Sequence, residues 1–443
     1  MNSKENNRIL GKITVKEIFK KILCLSPSPT PAPSSAPTFV PEMLSEMPSQ
    51  GVTSAPTFVT SEMPSQGVTS APTFVTSQLP SQVPSQIPSL SKIPSQEPSF
   101  VGVKQFLAPD AAFGDEFGHS VSMYGEKIVI GAPWSNDTGS IYIFSKNGTF
   151  EEQVFAFDGE EDDYFGKSVS ISENYIVVGA WGYDDAKGAA YIIPFNDISS
   201  MVKIESSDNF TEYFGWKTAI SGNVVAVGVP TNVNNDWGVG AVYLFSTNGT
   251  SIGNLTAPEG PTEEWFGWSI AMTDDVIVVG APNHNDTVGA AYVYNTENGD
   301  FLMKLEPVDG LEDDYFGDDV DVYGDTIVVG SFNNYTYIYD LNGTLIQEII
   351  SPEFTGYTDH YFGFSVAVSE DFVAIAGGQY GEEKDVYVFT TEGEFIRRID
   401  APKPLRGDFG FDLAIEGNKL LVGASGIFGN PTIPGTGAYL YLI

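Results

Sequence analysis

The sequence predicts an all-β chain: a seven-bladed β-propeller of four-stranded antiparallel blades, preceded by a disordered Pro/Ser/Thr-rich stalk. Three observations carry this reading. Phe-Gly pairs begin at Phe117, Phe165, Phe214, Phe266, Phe316, Phe362 and Phe409, so one unit recurs every 46 to 52 residues. The fourteenth residue after each Phe is small: Gly131, Gly179, Gly228, Gly280, Gly330, Ala376 and Gly423. An aromatic segment follows in every unit, around Tyr142, Tyr191, Tyr243, Tyr292, Tyr337, Tyr387 and Tyr439. Repeats of this length, each able to form one small sheet, are the arithmetic of a propeller.

The unit from residue 266 shows the four strands in order. Ser269-Ile270-Ala271-Met272 alternates small or polar with apolar, the two-residue period of a strand. Thr273-Asp274-Asp275 is a tight turn, and Val276–Val279 is a short apolar run closed by Gly280. Ala290–Tyr294 is the third strand and Phe301–Leu305 the fourth. Asn298-Gly299 between them predicts a type I′ hairpin turn, which needs positive φ at both central residues. Asn147-Gly148, Asn248-Gly249 and Asn342-Gly343 mark the same turn elsewhere. The seventh unit ends at Ile443 after its third strand. Val103–Ala108 resembles the fourth strands of other units, so it is expected to close the ring by pairing in the last blade. Closure would make residues 101–443 one domain and remove an open sheet edge.

The rest of the chain is a different material. Residues 1–25 form a basic leader, with Lys12, Lys16 and Lys20 interrupting every apolar stretch. A secretory signal needs about 7–15 uninterrupted apolar residues. The leader is therefore read as disordered or marginally helical, or as a degraded or truncated targeting segment. Cys24, the single cysteine, is read as a free thiol. Residues 26–99 hold 15 Pro and 25 Ser/Thr, and SEMPSQGVTSAPTFVT occurs twice in tandem from Ser45. Proline removes backbone donors, and too few large apolar residues remain for a core. An extended stalk is expected.

The 443 residues carry 21 Lys+Arg against 58 Asp+Glu, a formal net charge of −37. Residues 101–443 hold 14 of the basic and 52 of the acidic residues, so the repeats alone carry −38. Such a balance argues against nucleic acid, whose phosphates need Lys and Arg. One cysteine excludes a disulfide framework. No apolar run of about 18 residues is present, so no transmembrane segment is expected.

FGHSVSMYGEKIVIGAP, FGKSVSISENYIVVGAW and FGWSIAMTDDVIVVGAP resemble the FG-GAP repeats of integrin alpha chains and of other surface proteins. The resemblance covers all seven units. It implies a seven-bladed propeller used for adhesion or ligand binding without catalysis. Repeats of the integrin type often carry a calcium loop between the first two strands. Here Tyr124-Gly125, Ser221-Gly222 and Tyr323-Gly324 are turns with no room for one. The pattern resembles the shorter variety of the repeat, so no cofactor is assigned and the calcium function is not carried over.

Strand parity places the second-to-third loops and the blade-to-blade connections on one face. Those segments are acidic, and Trp or Tyr lies in or beside several of them. The candidate ligand-binding residues are Trp134, Asp137, Asp162, Asp163, Trp181, Asp184, Asp185, Asp236, Trp237, Asp286, Asp313 and Asp314. Three readings stay open for this face: a solvated surface, a site for a cationic, protein or glycan partner, and collective binding of divalent cations. No metal site is assigned. His119, His284 and His360 sit in different units without metal-ligand spacing, and no catalytic motif is present, so a non-enzyme is expected.

Eight sequons, at Asn136, Asn147, Asn209, Asn248, Asn254, Asn285, Asn334 and Asn342, suggest an extracellular or cell-surface glycoprotein. Arg406-Gly407-Asp408 is either the acidic lead-in to a Phe-Gly pair or a cell-attachment tripeptide. The leading expectation is thus a cell-surface or extracellular adhesion and binding module. The alternatives are a secreted carbohydrate-active or hydrolytic propeller and an intracellular propeller scaffold.

Overall fold

The computed structural model describes residues 103–443, apart from 111, 113, 208–210, 233–238, 261–263, 309, 333–334, 353–360, 379–383, 403–407 and 426–436. The leader, the stalk, Cys24, Asn209, Asp236, Trp237, Asn334, His360, Arg406 and Gly407 lie outside the described residues.

Seven four-stranded antiparallel sheets follow one another along the chain. The first is built from Ser120–Tyr124, Lys127–Ala132, Ser140–Ser145 and Phe150–Val154, in that spatial order. The next five repeat the pattern. In the seventh, Asp408–Glu416, Lys419–Ser425 and Gly437–Leu442 are joined by Lys104–Phe106 from the start of the domain. Lys104 pairs with Leu440 and Phe106 with Ala438. The first strand of each blade packs against the first strand of the next, right round from the seventh to the first. The described chain is therefore a closed seven-bladed propeller with the first strands innermost. The fourth strands form the rim: Phe150–Glu152 and Ser251–Asn254 are exposed.

The two fixed features of the repeat meet between blades. A Cβ at Gly131 would lie 2.1 Å from the carbonyl oxygen of Gly166, the glycine of the next Phe-Gly pair. Equivalent contacts are 2.0 Å for Gly179 on Gly215 and 2.0 Å for Gly280 on Gly317. No side chain fits there, so the second-strand glycine sets how closely neighbouring blades approach. The Phe before that glycine fills the core. Phe165, Phe214, Phe266, Phe316, Phe362 and Phe409 are fully buried. Each of the seven rings meets the third-strand Tyr of its own blade, at 5.1 Å for Phe117–Tyr142 and up to 6.0 Å for Phe409–Tyr439. Edge-to-face or tilted pairs at this distance suit the aromatic quadrupole.

One local expectation is corrected. The Asn-Gly connections are not type I′ turns. Gly148, Gly249, Gly299 and Gly343 take positive φ (72° to 88°), but the Asn before each does not. The Gly148 N–H bonds the carbonyl of Ser145, and the register slips between Ile143 and Phe144. This is a type I turn followed by a left-handed glycine and a bulge. The Asn side chain explains the preference: Asn147 Oδ1 accepts the Thr149 N–H at 2.9 Å and the Thr149 hydroxyl at 2.7 Å. That bond holds Asn147 in ordinary backbone geometry and leaves only the glycine to turn left-handed.

Candidate binding face and axial mouth

The long second-to-third loops and the blade connections share one face, because the strands alternate in direction. A backbone strap shapes this face. The connection reaches the loop of the preceding blade before entering the next Phe-Gly pair. Phe165 N–H bonds Thr138 O at 3.1 Å, Tyr213 N–H bonds Ala186 O at 2.7 Å, and Tyr315 N–H bonds Thr287 O at 2.8 Å. The strap forces the residue before the Phe into left-handed backbone geometry. Glu116, Tyr164, Tyr213, Trp265, Tyr315 and Tyr361 have φ between 37° and 62°. Bulky residues rarely adopt this region, and such strain persists only where surrounding contacts impose it.

The strained aromatics form a crown. Tyr164 stacks on Trp181 at 4.7 Å and meets Trp134 at 5.1 Å. Tyr213 lies 5.2 Å from Trp181, and Trp265 stacks on Trp268 at 5.2 Å. On the other side, Phe332 touches Tyr315 and Tyr361. Inside the crown, the residue following each Phe-Gly pair faces the propeller axis. Phe364 meets Phe411, Phe411 meets His119 at 4.5 Å, and Lys167 Nζ lies 2.7 Å from His119 Nε2. Lys167 also sits 4.9 Å over the Trp216 ring, and Trp216 meets Trp268 at 4.7 Å. Trp268 bonds Asp318, the seventh member.

One step deeper, charges brace the inner strands. Asp319 accepts the Val366 N–H at 2.9 Å, Asp321 the Val368 N–H at 2.7 Å and Asp412 the Val121 N–H at 2.6 Å. Each is an inner-strand N–H of the following blade, satisfied by a carboxylate of the preceding one. Lys217, from the third blade, reaches Asp319 of the fifth at 3.5 Å. Burial pushes Asp318 and Asp321 up to about 7 and Asp412 up to about 6. Burial opposes the charge on Lys217, but Asp319, Asp412 and Asp321 outweigh it and hold the ammonium above its ordinary range. Lys167 is pushed down to about 8, chiefly by burial. His119 is held well below its usual value by burial and by Lys167 and Lys217.

The candidate loop residues fall into two kinds. Asp137, Asp162, Asp184, Asp185, Asp286 and Asp313 are exposed, and all have left-handed backbone geometry. The Asp162 N–H bonds the Asp137 carbonyl at 2.9 Å, and the Asp313 N–H bonds Thr287 Oγ1 at 2.8 Å, so loop and connection are tied together. Asp163 and Asp314 are 3% and 6% exposed. They accept the N–H groups of Glu160 and Leu311, each at 2.7 Å, as turn caps. Trp134 is half-buried and Trp181 is buried in the crown, its indole N–H without an acceptor among the described residues. Among the described residues no three His, Cys, Asp or Glu side chains are grouped to hold a metal ion.

Five successive segments, 100–144, 149–193, 199–245, 250–294 and 301–343, match the family model described as FG-GAP repeat. The chain belongs to the FG-GAP repeat family. Among curated proteins, this FG-GAP chain is 29% identical over 186 residues to mouse integrin alpha-2, covering 40% of this chain and 12% of that relative. It spans only a small part of the integrin chain's length. Among solved structures, the computationally designed Ika8 protein superposes with a TM-score of 0.46 at 14% identity, over 76% of this chain and 98% of that one. Each matched FG-GAP segment begins before the Phe-Gly pair of its blade and ends at or near its third strand. The axial set of Lys167, Lys217, Asp318, Asp319, Asp321 and Asp412 was missed by the sequence reading. Its signal is columnar: the first position after each Phe-Gly pair is charged or aromatic in all seven units, and the second is charged at Lys217, Asp319 and Asp412, where a hydrophobic strand start would be expected.

Proposed function

We propose that this FG-GAP propeller is a non-catalytic binding and adhesion module of the cell surface or extracellular space, and that it engages a protein partner through its long-loop face. One observation carries the reading. Six exposed carboxylates, from Asp137 round to Asp313, share the face that holds the aromatic crown, within a domain of net charge −38. Binding residues concentrate on loops held by a rigid scaffold, and depth of aromatic contact inside a polar rim is how protein interfaces gain affinity. The sign of the rim favours a partner presenting lysine or arginine. The family membership and the integrin alpha-2 similarity point the same way. Among the described residues no helix is long and apolar enough to cross a membrane.

The test is binding of the full chain to live cells and to a panel of immobilised extracellular matrix proteins and glycans. A variant with all six exposed Asp changed to Asn is compared with one changing Glu126, Asp274 and Asp325 on the opposite face. Binding should fall about tenfold or more, with a lost salt dependence, in the first variant alone. Equal binding by both variants would remove the acidic face from the function.

A further inference from the structure

Two histidines of this protein are held in the same unusual way. His284 Nδ1 lies 3.0 Å from the buried Glu264 carboxylate, and its Nε2 lies 2.7 Å from Lys304 Nζ. His119 Nδ1 lies 3.1 Å from the Glu116 carboxylate, and its Nε2 lies 2.7 Å from Lys167 Nζ. At His119, whose pKa is held well below its usual value, the carboxylate accepts a hydrogen bond from Nδ1–H, so Nε2 carries the lone pair and the lysine donates to it. The arrays differ in one respect. Lys304 is also paired with Glu259 at 3.2 Å and Glu306 at 2.8 Å. Lys167 has no carboxylate within ion-pair distance among the described residues; its second neighbour is the face of Trp216.

We propose that Lys167 is a nucleophilic amine at the axial mouth, poised to capture a small neutral aldehyde or ketone as an imine. The geometry supplies what the reaction needs. A neutral Lys167 that donates one N–H to His119 keeps its lone pair unshared and able to attack carbon. The amine lone pair forms the C–N bond while the carbonyl π pair moves to oxygen. A nitrogen proton passes to His119 Nε2 and on to that oxygen, giving a carbinolamine. Loss of water then leaves the C=N bond, with no oxidant or reductant consumed. Trp216 and His119 flank the Lys167 amine, and Phe411 packs on His119. Glu116 and Asp412 lie close enough to disfavour a negatively charged guest.

The electrostatics agree with the geometry. Burial, the larger effect, and the positive charge of Lys217 lower the amine to about 8, against the opposing pull of Glu116 and Asp412. Lys304 is driven the other way: burial is outweighed by Glu306 and Glu259, and its proton is held above the ordinary range. Two lysines with the same imidazole partner are thereby separated into a reactive and an inert one.

The experiment treats the full chain at pH 7 with limiting formaldehyde and cyanoborohydride, and follows methylation of each lysine by peptide mass spectrometry. Lys167 should be methylated about tenfold faster than the exposed Lys187 and than Lys304, with a rate that levels off above pH about 8. His119→Phe should slow Lys167 several-fold and leave Lys187 unchanged. If the first variant does not fold, Glu116→Gln, which keeps the size of the side chain and an acceptor for Nδ1–H but removes a charge that raises the amine, should speed Lys167 and leave Lys187 unchanged. A merely buried lysine would label more slowly than Lys187, and that result, or equal rates at Lys167 and Lys304, would overturn the proposal.

Discussion

A single missing methyl group sets the distance between blades. The Cβ that an alanine would add at Gly280 would stand 2.0 Å from the Gly317 carbonyl, and backbone on both sides cannot yield. Gly280→Ala is therefore expected to cost about 1–3 kcal/mol, read by chemical denaturation. Ala376 occupies the equivalent position in the sixth blade and faces Gly410, so Ala376→Gly should change stability little. An unchanged denaturation midpoint for Gly280→Ala would mean that the blades are not held at this contact. The glycine column itself was legible in the sequence, but its partner was not. Gly166 lies 35 residues beyond Gly131, and only the tertiary fold puts its carbonyl in the way.

At the scale of the element, neighbouring acids in one segment do different work. In the first blade connection, Asp162 points out and Asp163 turns in to cap the Glu160 N–H. The same division recurs at Asp313 and Asp314. Asp163→Ala removes a buried carboxylate and its charge-assisted bond to the Glu160 N–H and should destabilise by about 1–3 kcal/mol, whereas Asp162→Ala should change stability by less than about 0.5 kcal/mol. Thermal denaturation of the two variants checks this, and similar losses from both would show that the connection is held by something other than its caps. A run such as Glu160-Glu161-Asp162-Asp163 reads as uniform charge, because composition carries no direction. The Asn-Gly turns teach the same lesson in reverse. Their location was plain in the sequence, yet their type depended on the Asn147 side chain bonding Thr149 rather than on glycine content alone.

For the whole molecule, the axial charges give stability an uncommon dependence on pH. Asp318 and Asp321 rise to about 7 and Asp412 to about 6 through burial, above the ordinary carboxylate range. Between pH about 4 and 7 the folded ring therefore binds more protons than the unfolded chain, and its stability falls as pH rises. Lys217 acts in the same sense at higher pH, its contribution being lost as pH rises through its elevated value. Lys167, lowered to about 8, acts oppositely between its folded value and the ordinary lysine value. The melting temperature should thus decline from pH 4.5 to 7, and Asp321→Asn with Asp412→Asn should flatten the decline while keeping an acceptor for each N–H. Self-repulsion within a ring of net charge −38 adds a salt-dependent fall in the same window, which the double variant leaves in place. A melting temperature that climbs over this range, or a double variant with the full slope, would count against the axial carboxylates as its source.

The sequence by itself determined the number of blades, the four strands of each and the strand that completes the seventh. These follow from local periodicity and from residues that recur at fixed offsets, so seven copies reinforce one another. It also placed the acidic segments on one face, because strand parity needs only counting. Only the tertiary structure decided which carboxylates are exposed, how the aromatics join into a crown, and that Lys167, Lys217, Asp319 and Asp412 meet on the axis. Those residues come from different blades, and the separations between Lys217 and Asp319 or Asp412 exceed 100 residues. Their meeting is a property of ring closure, which no single repeat contains.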